Sequence, residues 1–256
     1  MVEVLGIPLY DRDIDTAVEE ILRSLKGPFV EGNRRISATG AHGLVEARDN
    51  ELFRQALLSC FINLPDGMPA VWVGRWKGAK QMQRCYGPDF FKTMMQASAK
   101  MSVKHFLCGG KEGVARQLQQ NCERRFGNQQ VTGIYCPPFR EMSEAEMQEL
   151  GQRILDSGAH IVWVGLSTPK QELFAQRLSA YLQNVYLITV GAAFDFHTDQ
   201  VKQAPRWVQK AGLEWFFRLL MEPKRLYKRY FKVVPLFIWL NMKEFLDIYI
   251  YKKKRV

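Results

Sequence analysis

Six short runs of apolar and β-branched residues, each followed by a stretch long enough for a helix, restrict this chain more than any other feature. They read RRISAT (34–39), CFINL (60–64), VKHFLC (103–108), QVTGIY (130–135), HIVWVG (160–165) and VYLITVG (185–191). Runs of this length with little polar alternation suit strands covered on both faces, and the intervening helical stretches supply the crossovers that parallel strands require. The expected fold is therefore α/β, a Rossmann-like, mostly parallel sheet covered by helices. Asp15-Thr16 precedes AVEEILRSL, where Ala17, Ile21, Leu22 and Leu25 repeat at helical spacing; Ser143 and Glu146 form a capping-box pattern ahead of EMQELGQRIL. With 256 residues and 47% apolar content, the chain can bury a sizeable core, and disorder is not expected.

The strand pattern stops near residue 200. The remainder reads as consecutive helices, broken near Pro223 and Pro235, so the expected organisation is an α/β catalytic domain at 1–199 and a basic amphipathic helical appendage at 200–256. Charge divides at the same point. Residues 1–199 carry 22 basic and 22 acidic side chains and residues 200–256 carry 14 and 4, so the net charge of +10 belongs to the appendage. Its longest apolar run, VVPLFIWL, is far short of the roughly 20 residues that span a bilayer. Ile238, Met242, Phe245 and Tyr249 recur at spacings of four, three and four, the pattern of one helix face. The five cysteines lie far apart with no C-x-x-C pair, and no charged and apolar leader opens the chain, so a reducing cytoplasmic setting is expected and secretion is not.

Ligands of open parallel sheets bind beyond the carboxyl ends of the strands. The residues there are Thr39, Asp66, the pair Gly109 and Gly110, Gln171, and Asp195. Each also has an ordinary structural reading: Asp66-Gly67 is a common turn and Thr39 a plausible helix cap. The glycines of CGGKEG would let backbone N–H groups face a phosphate. They do not make G-x-G-x-x-G, and no acidic residue ends QVTGIY, which argues against a nicotinamide enzyme. The Asp-x-Asp of DRDID (11–15) precedes a helix and reads better as a cap than as a metal site. His42, His105, His160 and His197 have no ligand spacing, so neither a metal nor a cofactor is expected.

Taken together, LPDGMPAVWVGR, RCYGPDFF, FLCGGKEGVA, GIYCPPF, VGLSTPKQE, VGAAFDF, APRWVQKAGLEWFFRL and EPKRLYKRY resemble, in order and through nearly the whole chain, the WecG/TagA/CpsF family of bacterial glycosyltransferases, glycosyltransferase family 26. The resemblance implies inverting transfer of a hexose (N-acetylmannosamine, its uronate, or glucose) from a UDP-sugar to a polyprenyl-diphosphate-linked sugar in surface or exported polysaccharide synthesis. It also implies a peripheral protein at the cytoplasmic face of the bacterial inner membrane, drawn to an anionic membrane surface. The family's catalytic aspartate falls on Asp66 and its neighbouring threonine on Thr39. Arg84 would meet a diphosphate with its planar fork, Lys170 and Gln171 would face the nucleotide sugar with Glu172 only favouring the helix start, and Asp195 would contact ribose or sugar. Arg218, Arg225 and Arg229 are the matching candidates for arginines that the family's appendage lends to the pocket. Departures lie at Thr39-Gly40-Ala41, followed by His42 and Gly43, where the family often has Thr-x-Asn, at Thr198-Asp199 in place of Ala-Gly, and at Gln203 in place of Arg. A basic, aromatic tail also permits a nucleic-acid-binding reading. Its aliphatic residues Leu236, Ile238, Leu240, Leu246 and Ile248 favour lipid instead.

Overall fold

The computed structural model describes residues 1–25, 27 and 33–253, with side chains described through Ile248. All six expected strands are present: β3 (Arg34–Thr39), β4 (Ile62–Pro65), β5 (His105–Gly109), β6 (Val131–Tyr135), β7 (Ile161–Gly165) and β8 (Tyr186–Thr189). They form one parallel sheet in the order β4-β3-β8-β7-β5-β6. Alternation along the central strands divides the core in two. Ile161 and Trp163 pack on one face with Ile36, Leu107 and Ile188, whereas Val162 and Val164 pack on the other with Phe106, Cys108 and Leu187. The first face is covered by α1 (Ile14–Ser24), α5 (Gly87–Ser98), α6 (Val114–Phe126) and the short α9 (Ala193–His197). The second is covered by α2 (Ala41–Asp49), α3 (Glu51–Leu58), α7 (Glu144–Asp156) and α8 (Lys170–Ser179).

The helix starts follow local chemistry. Ser143 and Glu146 close a capping box on α7. The α1 helix begins two residues earlier than the Asp15-Thr16 reading, because Asp13 is the better cap: its side chain accepts from Thr16 N. Asp11 meanwhile pairs with the N-terminal amine at 2.8 Å, so DRDID is occupied in capping and pairing. His105 is a core histidine, accepting from Trp163 Nε1 at 3.2 Å and bonded to Ser98 at 2.9 Å. All five cysteines are unpaired.

The sequence pattern did not disclose a small antiparallel hairpin, β1 (Val2–Val4) and β2 (Ile7–Leu9). Its two-residue turn places Leu5 at φ 50° and Gly6 at φ 78°, the left-handed pair that suits strand twist, but leucine is an unusual occupant and three-residue strands leave little periodicity. The hairpin, α2, α3 and α4 (Met68–Trp76) together enclose a third apolar cluster that includes Val4, Ile7, Leu44, Phe53 and Val71.

The C-terminal residues form α10 (Arg206–Lys210), α11 (Glu214–Met221) and a long α12 (Pro223–Lys253). A break falls at Pro223, as expected, but not at Pro235, which lies inside α12. Proline removes one hydrogen bond there and crowds the preceding turn. Pro235 is on the exposed side of the helix, while Val233 and Phe237 on the other side enter the third cluster beside Leu44 and Val45. Burying two such side chains contributes on the order of 1.5–3 kcal/mol each, enough to hold both halves in one line. Lys77 pairs with Glu244, and the Trp76 and Phe245 rings meet at 4.9 Å, so α12 lies along α2 and α4.

Candidate active site

β3 leads outward to β4, whereas its neighbour β8 leads into α9 and the C-terminal helices. The connections diverge above their carboxyl ends and leave a crevice there. Thr39 and Asp66 stand side by side at its floor, where Asp66 N donates to Thr39 O at 3.1 Å. Asp66 Oδ1 accepts from Gly87 N at 2.7 Å, at the N-terminus of α5, while Oδ2 faces Gly40 and no donor among the described residues reaches it. Gly87 is required at that point because a Cβ would lie 2.8 Å from Val190 O, so only glycine lets α5 approach closely enough to hold the carboxylate. Burial pushes the Asp66 carboxyl above the usual carboxylate range, against the opposing effects of Arg84 and the Gly87 N–H.

Behind Thr39 runs a buried polar chain. Thr39 Oγ1 bonds Ser37 Oγ at 2.7 Å, and Ser37 donates to Glu172 Oε1 at 3.2 Å. Gln171 Nε2 donates to the same Glu172 oxygen at 2.8 Å and to Thr168 at 3.3 Å, and Gln171 Oε1 accepts from Gly191 N at 3.0 Å. Gln171 is 1% exposed, with both ends of its amide engaged. In this arrangement it orders the turn after β8 rather than presenting its amide to a sugar. Glu172 is 2% exposed, its carboxyl raised by burial, and its Oε2 is buried without a partner. It does more than favour a helix start: it joins β3 to α8. The sequence carried no signal for this beyond Glu following Gln. Lys170, one residue earlier, is exposed.

Arg84 is also committed internally. Its Nε donates to Asp66 O at 2.8 Å, and its terminal nitrogen meets Glu214 at 2.5 Å. Glu214 and His42 are the acidic and basic neighbours of the site that the sequence reading did not single out. His42, in the first turn of α2, is pushed down to about 4 by burial and then by Arg229 and Lys232, so its imidazole is neutral at pH 7. A departure from the family pattern was its only signal.

Gly109 (φ 148°) and Gly110 (φ 73°) shape the turn after β5: Gly109 abuts Gly165 O, and Gly110 N donates to that same carbonyl at 3.0 Å. Close backbone contact accounts for both. The turn nevertheless brings Lys111 within electrostatic reach of Asp195. Burial raises the Asp195 carboxyl, while Arg225, Lys111 and Arg218 oppose the rise. Arg218 lies 5.7 Å from the Phe196 ring, and its Nε is buried with no hydrogen-bond partner among the described residues. Arg225 pairs with Glu222 at 2.5 Å. Burial, followed by the charges of Arg225 and Arg218, pushes the Arg229 guanidinium below its ordinary value. Arg225 and Arg218 thus both lie within electrostatic reach of Arg229. Thr198-Asp199 lies apart from them: Asp199 adopts φ 58° and is held by both terminal nitrogens of Arg125, which explains how a non-glycine residue occupies a left-handed position. Among the described residues, no group of three or more His, Cys, Asp or Glu side chains could hold a metal ion.

A carboxylate at a strand end, with one oxygen that no donor among the described residues reaches and with Arg84 and Arg218 within electrostatic reach, has chemistry suited to group transfer on an anionic substrate. The sequence model of the glycosyl transferase WecG/TagA/CpsF family matches residues 2–250, and the chain belongs to that family. It is a glycosyltransferase of cell-surface polysaccharide synthesis, a family whose reactions join a sugar-nucleotide donor to a lipid-linked acceptor.

Proposed function

We propose that the protein transfers a hexose (N-acetylmannosamine, its uronate, or glucose) from a UDP-sugar to a polyprenyl-diphosphate-linked sugar, with inversion, at the cytoplasmic face of the inner membrane. The observation that carries this reading is the unengaged Asp66 Oδ2 at the end of β4, beside an arginine cluster supplied by α11 and α12. Asp66 takes the proton of the acceptor hydroxyl as its oxygen bonds to the anomeric carbon. The bond from that carbon to the diphosphate breaks on the opposite face, and UDP leaves with the electron pair. A carboxyl raised by burial is suited to this, since a base works best when its pKa approaches the working pH. Thr39 orients the acceptor. Arg218, Arg225 and Arg229 receive the diphosphate charge, and the unpartnered Arg218 Nε is a donor ready for a phosphate oxygen. With that much fixed positive charge the reaction proceeds without a divalent metal.

The membrane half of the proposal rests on α12. Tyr227, Phe231, Ile238, Trp239, Met242, Phe245 and Leu246 are all exposed, and helical spacing gathers them on one side, flanked by Lys228, Lys232 and Lys243. This is the make-up of a helix lying in an anionic interface. No helix among the described residues is long and apolar enough to cross a membrane. Exposed aromatic and aliphatic side chains of this number fit lipid better than a phosphate backbone, which favours the membrane over nucleic acid. The test is a panel of the three UDP-sugars with lipid-linked acceptors, with and without chelator. UDP release that depends on both donor and acceptor is expected; its absence with every pair would sink the reading.

A further inference from the structure

Asp66 is held by its main chain as well as by its carboxyl group. Its carbonyl accepts from Arg84 Nε, and the other nitrogens of Arg84 turn toward the C-terminal helices, to Glu214 Oε2 at 2.5 Å and Gln209 Oε1 at 3.5 Å. The guanidinium carbon lies 4.0 Å from the centre of the Tyr86 ring, which fixes the plane of the fork. The side chains of the pair are only 15% and 10% exposed. Burying such a pair costs desolvation that its attraction roughly offsets, so stability is a weak reason for its presence. Its geometry supplies a better one. Arg84 is the link between the loop that carries Asp66 and the helix that carries Arg218.

We infer that Glu214 is a positioning residue for Asp66 acting through Arg84: it fixes the guanidinium that holds the Asp66 carbonyl, and so sets the base relative to the arginines of α11 and α12. The inference rests on Asp66 being the base, and it assigns Arg84 to the base rather than to the diphosphate. The charged and titratable groups facing Asp66 are Arg84, Cys85 and Tyr86 from the loop before α5, with the Gly87 N–H at the α5 N-terminus, and Glu214 and Arg218 from α11. Glu214 opposes ionisation of Asp66, and Arg84 favours it. The base works deprotonated, so turnover falls as pH drops through its pKa. Removing the Glu214 charge lowers that pKa, and removing the Arg84 charge raises it.

The experiment measures pH–rate profiles of Glu214→Gln, Arg84→Met and the double variant, using whichever of UDP-N-acetylmannosamine, its uronate or UDP-glucose the panel identifies. Circular dichroism and UDP binding check that each variant folds. Glu214→Gln should lose kcat on the order of 100-fold, the scale of a misplaced catalytic group, with KM for the donor near wild type. Its acid limb should move to lower pH and that of Arg84→Met to higher pH, and the double variant should lose no more than the worse single one. Should Arg84→Met not fold, the limb of Glu214→Gln decides alone. An unmoved acid limb, or losses that simply add, overturns the inference. Asp66→Asn, assayed alongside, separates the two claims: normal turnover removes the base and this link together, whereas a dead Asp66→Asn with an unmoved Glu214→Gln limb removes the link alone.

Discussion

The α/β body and the C-terminal helices meet at the crevice with opposite chemistry. The body balances 22 basic against 22 acidic side chains, and its strands and helices pack on three apolar clusters. Residues 200–256 carry 14 basic against 4 acidic, and the helices there leave Phe231 78% and Trp239 55% exposed. Strand ends fix Asp66 and Thr39 to within the tolerance of a hydrogen-bonded sheet. The helices bring Arg218, Arg225 and Arg229 on a docked surface held by Val233, Phe237 and a few ion pairs. The difference teaches that Asp66 and the arginines of α11 and α12 belong to separately built parts of the molecule, brought together by docking.

The comparison breaks most sharply at the base. Asp66→Asn should keep the fold and UDP binding while lowering kcat about 100-fold to 10,000-fold, and near-normal turnover would take the chemistry out of the body. On the helix side, Arg218→Ala or Arg225→Ala should each lower kcat/KM by roughly 10-fold to 100-fold, the loss of one charge-assisted hydrogen bond, with liposome binding unchanged. If either variant instead lost liposome binding and kept turnover, the arginines would belong to the membrane face alone. Replacing Phe231 or Trp239 by Ser should do the reverse, weakening sedimentation with anionic liposomes by roughly tenfold each while turnover of a water-soluble acceptor analogue holds. The smallest expected effect is that of chelator: no change in turnover, because the arginines supply the positive charge. Activity abolished by chelator and restored by magnesium or manganese would contradict that.

Much of the body was legible in the sequence because its signals are local. Buried strands need continuous apolar runs, and all six appeared within three residues of their observed ends. Ser143 with Glu146 announced a helix start. Asp66 and Thr39 were singled out by the rule that places ligands at strand ends, and the structure sets them side by side there. What escaped was set by contacts distant in sequence. The hairpin at Val2–Leu9 has strands too short for periodicity, and Pro235 read as a break because the packing of Val233 and Phe237 that overrides it lies 190 residues from Leu44. Glu172 read only as favouring a helix start and Glu214 was not singled out, because only folding buries them against Ser37 and Arg84.

The order of residues by itself determined the parallel α/β layering, the division of charge near residue 200 and the candidate carboxylate, since periodicity, composition and strand-end position are properties of the chain. Tertiary structure alone decided which groups remain free. Arg84 and Gln171 have the right chemistry for a substrate, yet the first is engaged by Glu214 and the carbonyl of Asp66 and the second by Gly191 and Glu172, whereas no hydrogen bond from the described residues reaches Asp66 Oδ2 or leaves Arg218 Nε. The reason is that a hydrogen bond satisfies a donor or acceptor only through proximity in space, and proximity between residues 84 and 214, or 171 and 191, exists only once the sheet has brought their loops to one edge.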